Sequence, residues 1–126
     1  MLDHVSINCA DLDASARFYD AVLAPLGYKR LMDFGDVLGY GSDNPSFWLG
    51  TQGEGGPSSQ PNREVHLAFA ASDADAVRAF FEAAESVGAE VLHEPGLHPE
   101  YHEGYYAAFV RDPDGNNVEA VTHAGS

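Results

Sequence analysis

Two stretches of this chain lie over each other without a gap at an offset of 62 residues: HVSINCADLDASARFYDAVL from His4 and HLAFAASDADAVRAFFEAAE from His66. Each reads as a strand opening on histidine, an Asp or Ser that can cap a helix, and an amphipathic helix, so one module is written twice. This duplication constrains the fold more than any single residue. Two copies facing each other are expected to bring His4 and His66 together, and Glu119, near the end of the second copy, offers a carboxylate to join them. The expected product is a metal site.

The chain has 126 residues, the size of one domain built from two half-modules of about sixty residues. Six Lys and Arg stand against 20 Asp and Glu, a formal net charge of −14. Such a surface repels phosphate, which argues against nucleic acid and anionic membranes as partners. Its simplest consequence is solubility. Cys9 is the only cysteine, so no internal disulfide can form; its place beside Val5 and Ile7 on one strand face suits a small core residue. The start MLDHVS is neither basic nor apolar, and no segment approaches the length of a membrane span, so the chain reads as cytoplasmic.

Within the first module, residues 2–9 alternate, with Val5, Ile7 and Cys9 on one face and His4, Ser6 and Asn8 on the other. A helix follows Asp11, carries Phe18, Tyr19, Val22, Leu23 and Leu26 on one stripe, and ends at Pro25 and Gly27. The segments YKRLMD, DVLGYG and SFWLGT then read as three strands between turn signals. Residues 52–63 hold no large apolar side chain and read as a linker. The second module begins at Glu64 with Val65, Leu67 and Phe69 opposite His66, Ala68 and Ala70. Its helix, capped by Ser72 or Asp73, presents Val77, Phe80, Phe81 and Ala84. AEVLHE is a further strand, PGLHPEYHEG a loop, and YYAAFVR and NNVEAV a hairpin around Asp112-Pro113-Asp114-Gly115. The expected organisation is a single domain over 1–126, with βαβββ modules at 1–54 and 64–126 and a linker at 55–63. Its class is α+β.

Glu119 sits in mid-strand on the face of Asn117 and Val121. Burying a carboxylate unpaired is costly, and a metal or cationic partner relieves the cost. Two imidazoles and one carboxylate suit one divalent ion of Zn, Fe, Mn, Ni or Co and leave positions open for water and substrate. Taken singly, a strand histidine is more often hydrogen-bonded or solvated than metal-bound. The equivalence of His4 and His66 in the repeat, and the place of Glu119 on the strand that closes the second copy, favour ligation. His93, His98 and His123 lack this symmetry and read as surface or loop residues.

HVSI, HLAF and FVRDPDGNNVEAV, set in two βαβββ modules, resemble the vicinal oxygen chelate superfamily of glyoxalases, extradiol dioxygenases, thiol transferases and bleomycin-sequestering proteins. The resemblance covers the whole chain, and the DPDG turn followed by the hydrophobic-Glu pair is its most specific part. It implies curved mixed sheets around a cavity, metal ligands at His4, His66 and Glu119, and a homodimer. It does not choose a reaction. SFWLGT lacks the Glu or Gln that a glyoxalase I has as fourth ligand, with Trp48 or a neighbour in that place, and Phe109 stands where extradiol dioxygenases carry a tyrosine.

Trp48, Tyr101 and Phe109 are the candidate substrate contacts, and Tyr105, Tyr106 and His102 the candidate catalytic groups. Parity puts Tyr105, Ala107 and Phe109 on the face of Glu119 if the hairpin is tight, and Tyr106 there if it is not. The expected function is electrophilic metal catalysis of lyase, isomerase or dioxygenase type on a small organic substrate that chelates through oxygen. A small-molecule-binding protein without catalysis, like the bleomycin-resistance members, is the alternative.

Overall fold

Asp11 and Asp73 fix the start of the two helices, each through a carboxylate that accepts from the backbone N–H three residues on: Ala14 at 3.1 Å and Ala76 at 2.8 Å. The structure, a computed structural model, describes residues 2–53, 56–57 and 65–125. The first module runs β1 (Val5–Asn8), α1 (Leu12–Leu23), a 3-10 turn (Ala24–Leu26), β2 (Lys29–Asp33), β3 (Val37–Gly41) and β4 (Pro45–Gly50). Pro25 sits in that turn, and Gly27 closes it in the left-handed conformation, at φ 88°. Two short strands, β5 (Gln52–Gly53) and β6 (Gly56–Pro57), pair with each other. The rest of the expected 55–63 linker lies outside the described residues. The second module follows as β7 (His66–Ala70), α2 (Ala74–Ser86), β8 (Val91–Leu97), β9 (Tyr106–Arg111) and β10 (Asn117–Thr122).

The two sheets have the same topology, β1-β4-β3-β2 and β7-β10-β9-β8, with the first pair of each parallel and the others antiparallel. The register repeats as well: Ser6 stands across from Trp48 as Ala68 stands across from Glu119. Two strand boundaries differ from expectation. The first strand starts at Val5, which leaves His4 just outside the ladder, and β8 runs through Pro95 to Leu97 where a loop was expected. Register shifts on either side of His93 let β8 carry Pro95 and Gly96.

The faces of the sheets that carry the helices meet in one core. Phe47 of β4 packs edge-to-face on Phe69 of β7 at 5.3 Å, Tyr28 donates to the Ala70 carbonyl at 3.0 Å, and α1 packs against α2. The Asp112-Pro113-Asp114-Gly115 turn fastens the second module to the first. Asp112, 5% exposed, accepts from the Tyr19 hydroxyl at 2.8 Å, from the Asn116 amide group at 2.9 Å, and from the backbone N–H groups of Asp114 and Asn116. Asp114 accepts from the Ala10 N–H at 3.1 Å and the Ser15 hydroxyl at 3.4 Å. Cys9 is buried, with its thiol directed to the Gly50 carbonyl, as a small core residue would be.

Since the modules share the core through their helix-bearing faces, the open faces lie on the far sides of the sheets from it. Within one chain His4 is not grouped with His66 and Glu119; whether the site lies in one chain or is shared between two copies is a question the sequence left open. No described helix is long and apolar enough to cross a membrane.

Candidate functional site

The open face of the second sheet carries the chemistry. Glu119 on β10 stands across from Phe109 on β9, which stands across from His93 on β8; one step along, Asn117 stands across from His66. Alternation then decides which side chains share this face. The hairpin keeps its parity, so Tyr105, Ala107 and Phe109 stand with Glu119, and Val121 with Leu92 completes a small apolar cluster beneath them. Tyr106 points to the opposite side. It is buried in the main core, and its hydroxyl accepts from Arg78 at 3.0 Å.

Glu119 is 1% exposed, yet both of its oxygens are engaged. His66 Nε2 lies 2.8 Å from Oε1, and the Tyr105 hydroxyl donates to Oε2 in a short hydrogen bond. Burial and the adjacent carboxylate push the Tyr105 phenol well above its ordinary range, because ionising it would place a second negative charge against Glu119. The phenol is held as a donor. His102 packs against the Tyr105 ring at 5.4 Å and is hydrogen-bonded to His123 at 2.9 Å, a pair at the solvent edge of the same face.

His4 is apart from this group. It is exposed and pairs with Asp3 at 2.8 Å. Among the described residues, no three His, Cys, Asp or Glu side chains are grouped so as to hold a metal ion. Trp48 is likewise apart: on the open face of the first sheet it stacks on Phe34, 10° from parallel, with its ring over Gly39. By register it is the counterpart of Glu119, so the first module offers no carboxylate at that place.

Three residues set aside in the sequence belong to the face after all. His93 and His98 surround Phe109 together with His66, at ring separations of 5.3, 5.4 and 6.0 Å. His123 joins His102. Register shifts on both sides of His93 break the parity of β8, so alternation could place neither His93 nor His98 on this face.

This arrangement of two equivalent modules matches known proteins. The family model described as Glyoxalase/Bleomycin resistance protein/Dioxygenase superfamily matches residues 1–120. The chain belongs to this superfamily. Within the superfamily, a glyoxalase/bleomycin resistance protein from Albidiferax ferrireducens T118 is 31% identical with a TM-score of 0.79, over 96% of this chain and 97% of that one. The uncharacterized protein YqjT of Bacillus subtilis is 31% identical over 95% of this chain and 97% of its own length. A lactoylglutathione lyase from Agrobacterium tumefaciens shares the fold at 22% identity and a TM-score of 0.68, over 96% of this chain and 92% of that one.

Members of this superfamily often bind a metal ion, and the donor pair here can be tested against one. Donors sharing an ion with bonds of about 2.1 Å stand roughly 3.0–3.4 Å apart, and His66 Nε2 stands 2.8 Å from Glu119 Oε1, the distance of their direct hydrogen bond. These residues fit as two arms of such a site. Among the described residues no third His, Cys, Asp or Glu joins them.

Proposed function

We propose that the chain is a divalent-metal-dependent enzyme acting on a small organic substrate that chelates through oxygen, with chemistry of lyase, isomerase or dioxygenase type. The observation that carries this reading is the imidazole–carboxylate pair His66–Glu119, backed by Tyr105 and set on an open, aromatic-walled face. His66 and Glu119 hold the ion, with His4 as the expected third ligand. When bound, a Zn, Fe, Mn, Ni or Co ion supplies electrophilic stabilisation of negative charge developing on a substrate oxygen.

The chain's own groups do the rest. Tyr105 keeps a proton at Glu119 Oε2 and so fixes which carboxylate oxygen is free to face His66. Tyr101, exposed beside the Tyr105 ring at 4.9 Å, offers the substrate a flat surface. His102, coupled to His123, is placed at the edge to exchange a proton with solvent. With His4 on the open side of the first module, a homodimer that sets the first module of one copy against the second module of another completes the ligand set.

The test is metal analysis of protein purified without a His-tag or chelator, beside His66→Ala and Glu119→Gln. The expected result is about one equivalent of metal per site, lost in both variants. A second reading, a small-molecule-binding protein without catalysis, is favoured by one observation: Glu119 already has two internal partners and needs no ion to be satisfied. Absence of metal even after reconstitution, with ligand binding intact in Glu119→Gln, would establish that reading instead.

A further inference from the structure

At the solvent edge of the second sheet two histidines from separate segments meet end to end. His102 lies in the loop between β8 and β9, and His123 follows the last residue of β10. Both are exposed. His102 Nε2 and His123 Nδ1 stand 2.9 Å apart, with the two ring planes within 18° of each other.

The far side of His102 fixes its tautomer. Its Nδ1 lies 2.7 Å from the Glu103 carbonyl, which can only accept, so Nδ1 carries the proton and Nε2 of the neutral ring is a lone pair. A carbonyl behind one ring nitrogen is a usual anchor of a metal-ligating imidazole. His123 needs only the tautomer with its proton on Nε2 to present a second lone pair beside the first.

The two segments are also tied to each other. The Gly125 N–H donates to the Gly104 carbonyl at 2.8 Å. Gly104, at φ 86°, lets the His123 carbonyl approach so closely that a Cβ there would meet it at 2.7 Å. The Tyr105 ring stands edge-on to both imidazoles at 5.4 Å. Little ordering is left to be done when an ion arrives.

Paired imidazoles without a thiolate suit Zn, Ni and Cu ions, and Cu2+ binds such a pair most tightly. Donors sharing an ion with bonds of about 2.1 Å stand roughly 3.0–3.4 Å apart, so the pair has to open slightly, which two exposed rings allow. Among the described residues no third His, Cys, Asp or Glu joins them, so water fills the remaining positions, unlike in a closed structural zinc site. The formal charge of −14 draws cations to the surface.

We infer that His102 and His123 form a second metal site, separate from the His66–Glu119 pair, that takes a divalent ion of the Cu2+ kind in place of the bridging proton. The inference is independent of the function proposed above.

The experiment is titration of chelator-treated protein with Cu2+, followed by calorimetry and electron paramagnetic resonance, in the parent and in His102→Ala, His123→Ala and His66→Ala. The parent is expected to bind one equivalent whose spectrum shows coupling to two imidazole nitrogens. That equivalent should bind about tenfold or more weakly in His102→Ala and in His123→Ala, and be retained in His66→Ala. Both substituted rings are exposed, so these variants keep the parent fold. Parent-like copper binding in both single variants, or no such equivalent in the parent, would overturn the inference. Loss of the same equivalent in His66→Ala would overturn it too, by assigning the ion to the His66–Glu119 pair.

Discussion

Glu119 shows how a residue can be costly and stable together. Its carboxylate is withdrawn from water, and its two oxygens are satisfied by partners from different strands, His66 on β7 and Tyr105 just before β9. Removing one partner exposes the cost. Tyr105→Phe leaves Oε2 without its donor and should lower stability by about 1–3 kcal/mol, read by urea denaturation. Asp114 makes a second prediction. Burial is the main cause that raises its pKa above the ordinary carboxylate value, against the opposing hydrogen bond from Ala10. A raised folded-state value means that the protonated form is the one folding favours. That contribution is complete below about pH 3.9, the unfolded value, and is lost as pH rises through the folded one. Asp114→Asn removes the titration, so its melting temperature relative to the parent should climb as pH increases from about 3 toward neutrality.

At the scale of elements, the Asp112-Pro113-Asp114-Gly115 turn proves to be a fastener. Asp112 draws Tyr19 of α1 and Asn116 to one carboxylate, and Asp114 holds the backbone at Ala10. Asp112→Ala strands several buried donors at once and should cost about 3 kcal/mol or more in denaturant unfolding. Most elements could be read beforehand because local physics fixes them: aspartates that cap, glycines that end helices, and alternation that assigns faces. The parity placing Tyr105, and not Tyr106, beside Glu119 was readable only on the condition of a tight hairpin. The end of β8 was not readable, because its bulges reset the alternation and carry His98 from an expected loop against Phe109. His4 fell outside the ladder because the alternation of residues 2–9 continues past the last paired residue.

For the whole molecule, the repeat announced two alike modules but not which sides of them would meet. Sequence periodicity separates the faces of a strand; it carries no information about whether two sheets join by their backs or their fronts. Here the backs join, so the open faces diverge and His4 is left without His66. The proposed homodimer makes this testable. If the ligand set is shared between copies, mixing His4→Ala with His66→Ala protein and allowing subunits to exchange should restore metal binding to a fraction of sites. If both histidines must come from one chain, no mixture recovers any. Metal content after exchange decides between them.

The joining of backs has one more consequence. What makes the chain fold, the shared core and the fastening turn, lies behind the sheets, while what meets a ligand stands in front of them. Exposed side chains in front, such as His93 and Tyr101, can therefore be exchanged in a directed-evolution library with little effect on the scaffold, whereas the buried Glu119 and its partner Tyr105 cannot. A chain with the same turn and the same core could carry quite different chemistry, or none.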